Sequence, residues 1–497
     1  MTPIFWTLLA LQIAMGAFDT LFHHEGTERL AWRPSQRREL KLHGVRNLFY
    51  AIMFGTLGFA EPRGSLAWAL IAVLAAELFI TLWDFVEEDR TRKLPASERV
   101  THTLLTLNYG AILALLVPVL LGWTALPTGV GAAWHGPWSW LCATAAAGTF
   151  VAGVRDLVAA ARTARLRDGD PARLAAGLPP CSAILVTGGT GFIGARLVAA
   201  LAAAGHEVTI LTRRRENALA LPAPIRIVTD LAQIAAAARI DAIVNLAGEP
   251  IANGLWTRRK RGKIVESRLG ITWAVGQLIE RLETKPLVLV SGSAIGWYGL
   301  RGDEPLGEDR DGRDCFSHRV CSAWEYAARL AAGRQTRLVL LRTGLVLGRE
   351  GGVLSRMLAP FEFGLGGRFG SGRQQMSWIH RDDLVRLIVR AIADPALSGP
   401  VNGTAPEPAA NADFTRALGR ALRRPAILPV PAAPLRLALG DFADELLLGG
   451  QRVLPAKAQA AGFRFDYPTL DGALAEITGA PLPGDPAMGR AAVEAAA

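Results

Sequence analysis

The sequence predicts an α/β fold: a doubly wound parallel sheet with a small C-terminal domain, preceded by an all-α transmembrane helical domain. Three observations carry this expectation. The stretch Ser182–Gly194, SAILVTGGTGFIG, reads as a buried strand feeding a glycine turn and then the helix-forming run ARLVAALAAAG. Further strand-like runs at 241–248 and 286–299 end in small-residue loops. Five apolar stretches, each near the ~20 residues that cross a bilayer, all begin before residue 160.

The membrane part is assigned to 1–160, with its apolar stretches at about 3–22, 44–60, 66–86, 103–123 and 137–157. The first has neither a basic start nor a small-residue cleavage site, so it reads as a retained helix. Arg29, Arg33, Arg37, Arg38 and Lys41 lie between the first two stretches, and Arg90, Arg92, Lys93 and Arg99 between the third and fourth. Arg162, Arg165 and Arg167 follow the fifth, whereas the opposite loops carry Arg63. Positive loops stay in the cytoplasm, which puts the N-terminus outside and everything after the fifth stretch inside. The expected location is the inner (cytoplasmic) membrane, multi-pass, with the lipid bilayer as a partner.

Acidic and histidine residues recur four apart near the cytoplasmic ends of the first four stretches: Asp19 and His23, Glu39 and His43, Asp84 and Glu88, Glu98 and His102. That spacing places each pair on one helix face. His24, Glu25 and Glu87 adjoin them, and Glu77 lies deeper. Three readings stay open: an interfacial belt paired with Arg and His, a His/carboxylate metal site, or haem held by two histidines. For a metal site the candidate ligands are His23, Glu39, His43, Glu98 and His102.

The segment 161–181 is basic, then Asp/Gly/Pro-rich, and ends in Pro179-Pro180, which suits a linker. In the next domain, 182–400, a strand, glycine turn and helix is the arrangement a dinucleotide pyrophosphate needs. The candidate cofactor contacts on it are Thr187, Gly188, Gly189, Thr190, Gly191, Phe192, Ile193 and Gly194. The second strand, Glu207–Leu211, is followed by Thr212-Arg213-Arg214 where an NAD-specific fold carries a ribose-binding acid. Guanidinium groups pair with a 2′-phosphate, so NADP is expected, with NAD as the alternative; solvated arginines at a sheet edge are the plainer reading. Asn245, Leu246, Ala247 and Gly248 end a further strand, where a cofactor can lie against the backbone. The stretch 258–268 is strongly basic and serves either as a solvated helix face or as a site for substrate phosphates. The strand ending SGSAIGWYG brings Ser291 to the cofactor and makes Ser293 the first choice for a catalytic hydroxyl.

The motifs TGGTGFIG, NLAGEPI, SRLGIT, SGSAIGWYG, LRTGLVLG and GSGRQQMSWIHRDDL occur in that order. Together they resemble the extended short-chain dehydrogenase/reductase superfamily, in its atypical branch of epimerase family proteins (nucleoside-diphosphate-sugar epimerase-like). The region 401–480 resembles the small C-terminal domain of unknown function typical of that branch, followed by an Ala-rich tail, 481–497. The resemblance implies a Rossmann-like sheet, NAD(P) binding, a catalytic role for Ser293 and a cofactor contact from Arg342. The superfamily's working base is a Tyr-x-x-x-Lys pair one helix further on. Here that helix reads FSHRVCSAWEYAARL, with Phe316 or Ser317 and Val320 or Cys321 at those places. Tyr298, His318 and Glu325 are the substitute acid–base groups, Tyr298 first. His380 belongs to the loop before a helix that Asp382 could cap.

The net charge of +10 does not point to nucleic acid, because Lys and Arg concentrate in loops and no basic motif is interleaved with aromatics. Cys142, Cys181, Cys315 and Cys321 are scattered, which excludes a disulfide framework and suits a reducing compartment. The expected protein is a membrane-anchored NADP-binding epimerase-like enzyme or oxidoreductase acting on a small-molecule substrate, a carbonyl or a nucleotide-linked sugar. A non-catalytic NADP-binding sensor or scaffold coupled to the membrane domain is the alternative.

Overall fold

The computed structural model describes residues 1–92, 94–166 and 169–481, so Lys93, Arg167 and nearly all of the tail lie outside it. The chain divides into two compact units, Met1–Arg167 and Asp168–Ala497.

In the first unit, α1 (Pro3–Phe18) opens with Pro3 at a first-turn position and Thr2 Oγ1 accepting from the Phe5 N–H at 3.3 Å. It passes straight into a wide π-helical stretch, Asp19–Glu28. Then follow α2 (Arg37–Phe59), β1 (Ala60–Arg63), α3 (Ser65–Thr91), α4 (Ala96–Thr124), β2 (Gly129–Ala132) and α5 (Pro137–Thr163). The last helix runs past the expected limit at 160. β1 and β2 pair antiparallel, Ala60 opposite Ala132 and Arg63 opposite Gly129, and clasp the α2–α3 and α4–α5 turns together.

Four of these helices are long and apolar enough to cross a membrane: α1 with its continuation, α3, α4 and α5. The fifth expected crossing, α2, falls short in hydropathy because Arg37, Arg38, Glu39, Lys41, His43 and Arg46 occupy its opening turns. Its 23 residues still extend about 34 Å. Burial in this unit is inverted. Phe79, Leu107 and Trp140 are 64%, 68% and 66% exposed, whereas Glu39, Glu77, Asp84 and Glu98 are at 0%. Near the clasp the interior is apolar, built on Phe5, Trp6, Phe54, Leu57, Leu116 and Leu120. The remote half is filled with carboxylates and imidazoles.

The second unit is a seven-stranded parallel sheet: β3 (Ala183–Thr187), β4 (Glu207–Leu211), β5 (Arg226–Val228), β6 (Ala242–Asn245), β7 (Val288–Ala294), β8 (Arg337–Thr343) and β9 (Gly399–Gly403). β9 carries the sheet past the expected domain limit at 400. The spatial order is β9-β8-β7-β6-β3-β4-β5, so direction reverses between β3 and β6. The crossover helices α6 (Phe192–Ala203), α7 (Arg258–Arg281), α8 (Phe316–Ala332) and α9 (Arg381–Ala393) cover the faces. Every residue of β3 and β6 is buried, as strands covered on both sides require. Ligand crevices form at the carboxyl ends of such a sheet where the order reverses. Thr187, Leu211, Asn245 and Ser291 are level across that edge.

Candidate active site

At the reversal point β3 turns through Gly188, whose φ of +70° is the left-handed region that glycine tolerates. A Cβ there would lie 2.9 Å from the Ala247 N, because the turn passes against the loop leaving β6. A Cβ on Gly194 would lie 2.2 Å from the Gly188 carbonyl oxygen, so this glycine seats helix α6 on its own turn. Thr190 and Gly191 are exposed at the start of α6, whose opening N–H groups have no intrahelical acceptor. Leu246 and Ala247 are half-buried and Gly248 is exposed beside them. Arg213 and Arg214 stand exposed beyond β4 and form no ion pair among the described residues; Thr212 is buried and its hydroxyl donates to the Arg214 carbonyl at 3.0 Å.

Several residues expected at the cofactor do other work. Thr187 donates to Asn245 Oδ1 at 2.7 Å, and Asn245 donates to Thr272 Oγ1 at 2.9 Å, so both buried side chains tie strands to helix α7. The Phe192 ring fills the space over Gly348, Gly351 and Gly352, and Ile193 packs on the sheet's core. Ser291 is fully buried. Arg342 is 2% exposed and meets Glu325 from Nε at 2.8 Å and from Nη2 at 3.2 Å, which closes it off from the crevice.

Ser293 lies one pleat beyond Ser291, level with Arg342 on the neighbouring strand. Its hydroxyl donates to Glu325 Oε1 at 2.9 Å. Tyr298 is fully buried, donates to Asn402 Oδ1 at 2.7 Å and accepts from Arg342 Nη1 at 3.1 Å. Burial pushes its phenol upward against the opposing pull of Arg342, and a phenol held neutral in a closed network is a brace rather than an acid–base group. His318 Nδ1 is held by the Trp297 carbonyl. His380 itself caps α9, accepting from the Asp382 N–H at 3.2 Å. Asp382 is inside the helix and binds Arg196 at 2.9 and 2.7 Å, so the cap lies two residues earlier than expected.

Helix α8 decides between the two registers for the missing pair. Phe316 and Val320 turn into an apolar cluster with Trp256 and Ile264. Ser317 and Cys321 face Gly296 at the end of β7; a Cβ on that glycine would lie 2.9 Å from Ser317 Cβ and 3.6 Å from Cys321 Sγ. Burial, followed by the nearby Glu325 charge, pushes the Cys321 thiol up to about 12, so it supplies neither thiolate nor cation at neutral pH. Ser317 Oγ donates to Glu445 Oε2 at 2.6 Å, and the same carboxylate accepts from the Phe316 and Ser317 N–H groups at 3.0 and 2.9 Å. A residue of the C-terminal region thus caps the helix that borders the crevice. Sequence reasoning missed Glu445 because no local pattern marks it.

Residues 184–402 match the NAD dependent epimerase/dehydratase family, and residues 430–477 match a domain of unknown function, DUF1731. The bovine epimerase family protein SDR39U1 is 41% identical over 298 residues, covering 59% of this chain and 99% of that protein. This chain belongs to the epimerase family. The epimerase family protein YfhF of Bacillus subtilis is 38% identical over 298 residues, covering 59% of this chain and 97% of its own length. The crystal structure of the human epimerase family protein SDR39U1 with NADPH superposes with a TM-score of 0.54 at 37% identity, over 59% of this chain and 98% of that one. The helical unit lies outside both matched regions.

That unit gathers most of the histidines and carboxylates singled out in the sequence. His43, Glu98 and His102 come together with Asp19, His24 and Glu88. His23 instead binds Asp19 Oδ1 at 2.8 Å and Ser97 Oγ at 3.2 Å. Glu39 is turned to Arg92, at 3.0 Å from Nη2. The wide turn at Asp19–Glu28 explains the exchange of His23 for His24: π-helical geometry aligns residues five apart, whereas the sequence reading used four.

Proposed function

We propose that this member of the epimerase family is an NADP(H)-binding enzyme held at the cytoplasmic face of a membrane by its helical unit, acting on a small carbonyl or nucleotide-linked sugar. The observation that carries the reading is the turn at Gly188–Gly194: a helix N-terminus opens at the sheet's reversal point beside exposed Thr190 and Gly191, with Arg213 and Arg214 exposed beyond the neighbouring strand and in no ion pair among the described residues. These are the groups that hold a pyrophosphate and a 2′-phosphate. The NADPH of the human relative supports the same cofactor. When bound, the nicotinamide supplies or accepts hydride. Ser293, 4% exposed, donates its hydrogen bond to Glu325, which leaves its oxygen lone pairs to accept from a substrate hydroxyl. Arg342 and Arg329 balance the Glu325 charge and hold it in place.

Apolar side chains outside and carboxylates inside support membrane residence for the helical unit. With α2 counted as a fifth traverse beside the four apolar helices, the basic loops fall on one side, which is the cytoplasmic one by their charge. A second reading, a non-catalytic NADP(H)-binding sensor, is favoured by Ser317 and Cys321 in place of Tyr and Lys. Purified full-length protein should bind NADPH in a fluorescence titration and then turn over within a panel of carbonyls and nucleotide sugars. Binding without any turnover would favour the sensor. Failure to bind either dinucleotide would overturn both readings.

A further inference from the structure

We propose that the helical unit holds a divalent first-row transition-metal ion, bound by Asp19, His24, Glu98 and His102, with His43 and Glu88 forming an adjoining position. The inference stands on this unit alone and is independent of the dinucleotide reading.

Geometry comes first. Donor atoms of Asp19, His24, Glu98 and His102 all lie within 4.8 Å of one another, and so do those of His24, His43 and Glu88. Asp19 Oδ2 is 3.3 Å from His24 Nε2 and 3.2 Å from His102 Nε2, and Glu98 Oε1 is 3.8 Å from His24 Nε2. Glu88 bridges the two groups, 3.5 Å from His102 Nδ1 and 3.8 Å from His43 Nε2. Ligands bonded at about 2.0–2.2 Å to one tetrahedral ion stand roughly 3.3–3.6 Å apart. The donors are therefore already near a shared coordination sphere. They come from the π-helical stretch, α2, α3 and α4, so the fold spends four segments on assembling them.

Unsatisfied atoms point the same way. Among the described residues, His24 Nε2, His43 Nε2 and Glu88 Oε1 are buried and make no well-directed hydrogen bond, although His43 Nε2 lies 2.8 Å from Asp84 Oδ2 and Glu88 Oε1 3.5 Å from Arg92 Nη2; their side chains are 8%, 2% and 1% exposed. A buried polar atom left unbonded costs free energy, and a metal ion would engage all three. Charge is also out of balance. Of five buried carboxylates, Glu39, Glu88 and Glu98 share the guanidinium of Arg92 and Asp84 meets that of Arg46, whereas Asp19 is met by His23, His24 and His102. The His24 and His43 rings stack at 4.5 Å with an 8° interplanar angle.

The surroundings behave as supports for ligands. His23 and Arg92 fix the orientation of Asp19 and Glu98 by hydrogen bonds at 2.8 and 2.7 Å. Asp84, held by Arg46 at 2.8 Å, lies 2.8 Å from His43 Nε2. An interfacial belt would keep such groups at the surface, whereas these are enclosed. Haem does not fit either, since stacked rings leave no slot for a macrocycle between them. Imidazoles and carboxylates without thiolate select iron, manganese or zinc.

The test uses the full chain, purified in detergent without chelator. Elemental analysis should find at least one equivalent of iron, manganese or zinc per chain. His24→Ala and His102→Ala should lower that content more than tenfold at unchanged helicity, while Glu77→Gln, whose carboxylate instead binds Tyr109 and Thr81, keeps it. Chelator-stripped wild type provides a readout that does not depend on variants folding: Fe(II), Mn(II) or Zn(II) should raise its unfolding midpoint. Wild-type protein that carries no stoichiometric metal and is not stabilised by any of the three ions would overturn the proposal. Equal metal content in well-folded His24→Ala would do the same.

Discussion

Ser293, Glu325 and Arg342 form the tightest chemistry in the nucleotide unit, and each has a separable consequence. Removing Arg342 leaves the buried Glu325 carboxylate with the Ser293 hydroxyl and, among the described residues, Arg329 as its one remaining cation. Arg342→Met should therefore cost about 3–5 kcal/mol, read by thermal unfolding followed in the near-ultraviolet. Ser293→Ala removes one hydrogen bond and the candidate substrate contact; turnover should fall while NADPH affinity stays within about twofold of wild type. Undiminished turnover would move the role elsewhere. Arg213→Ala and Arg214→Ala should each weaken NADPH binding by roughly 1–3 kcal/mol and leave NADH nearly untouched. Equal losses for both dinucleotides in a fluorescence titration would show that these arginines do not read the 2′-phosphate. Legibility at this scale was uneven. Ser293, Arg213 and Arg214 are candidates that strand ends alone suggest, and the structure leaves them at the carboxyl edge of the sheet. Arg342, Tyr298 and Asn245 look identical in sequence to crevice residues, and their burial and hydrogen-bond partners show that they turn inward.

At the scale of elements, strand–turn–helix units announce themselves by apolar runs and glycine, which is why β3, β6, β7 and α6 were legible. Contacts between distant elements were not. Glu445 meets Phe316 and Ser317 across sequence separations of 129 and 128 residues, and nothing local in DELLL signals a helix cap. Replacing it exposes two opening N–H groups of α8 and loosens the C-terminal region. Glu445→Ala should cost on the order of 1–2 kcal/mol and speed hydrogen exchange within 430–477. Unchanged exchange there would mean that the cap carries no load. Helix α2 shows the converse problem. Its apolar second half was read as a crossing, while its charged first half lowers its mean hydropathy although it packs between α3 and α5 as a full-length element. Gly44 and Gly153 permit that packing: a Cβ on Gly153 would come within 2.8 Å of the Gly44 carbonyl oxygen.

For the whole molecule, the proposed topology has one direct check. With five traverses the two ends lie on opposite sides of the bilayer, the N-terminus outside and the nucleotide unit in the cytoplasm. A C-terminal fusion to a reporter active in the cytoplasm should work, and an N-terminal tag should be labelled from outside on intact cells. Both ends on one side would mean that α2 does not cross. The clasp of β1 and β2 adds a matter of timing. If the helices enter a bilayer as the chain is made, β1 reaches the far side with α2, but its partner arrives only once α3 and α4 have followed. At roughly 5–20 residues per second, synthesis of that interval takes several seconds, whereas strand pairing takes about 1–10 μs. The clasp then closes as soon as β2 emerges, so its closure dates the fourth crossing, and any chain stalled earlier leaves β1 as a bare strand edge on the outer face.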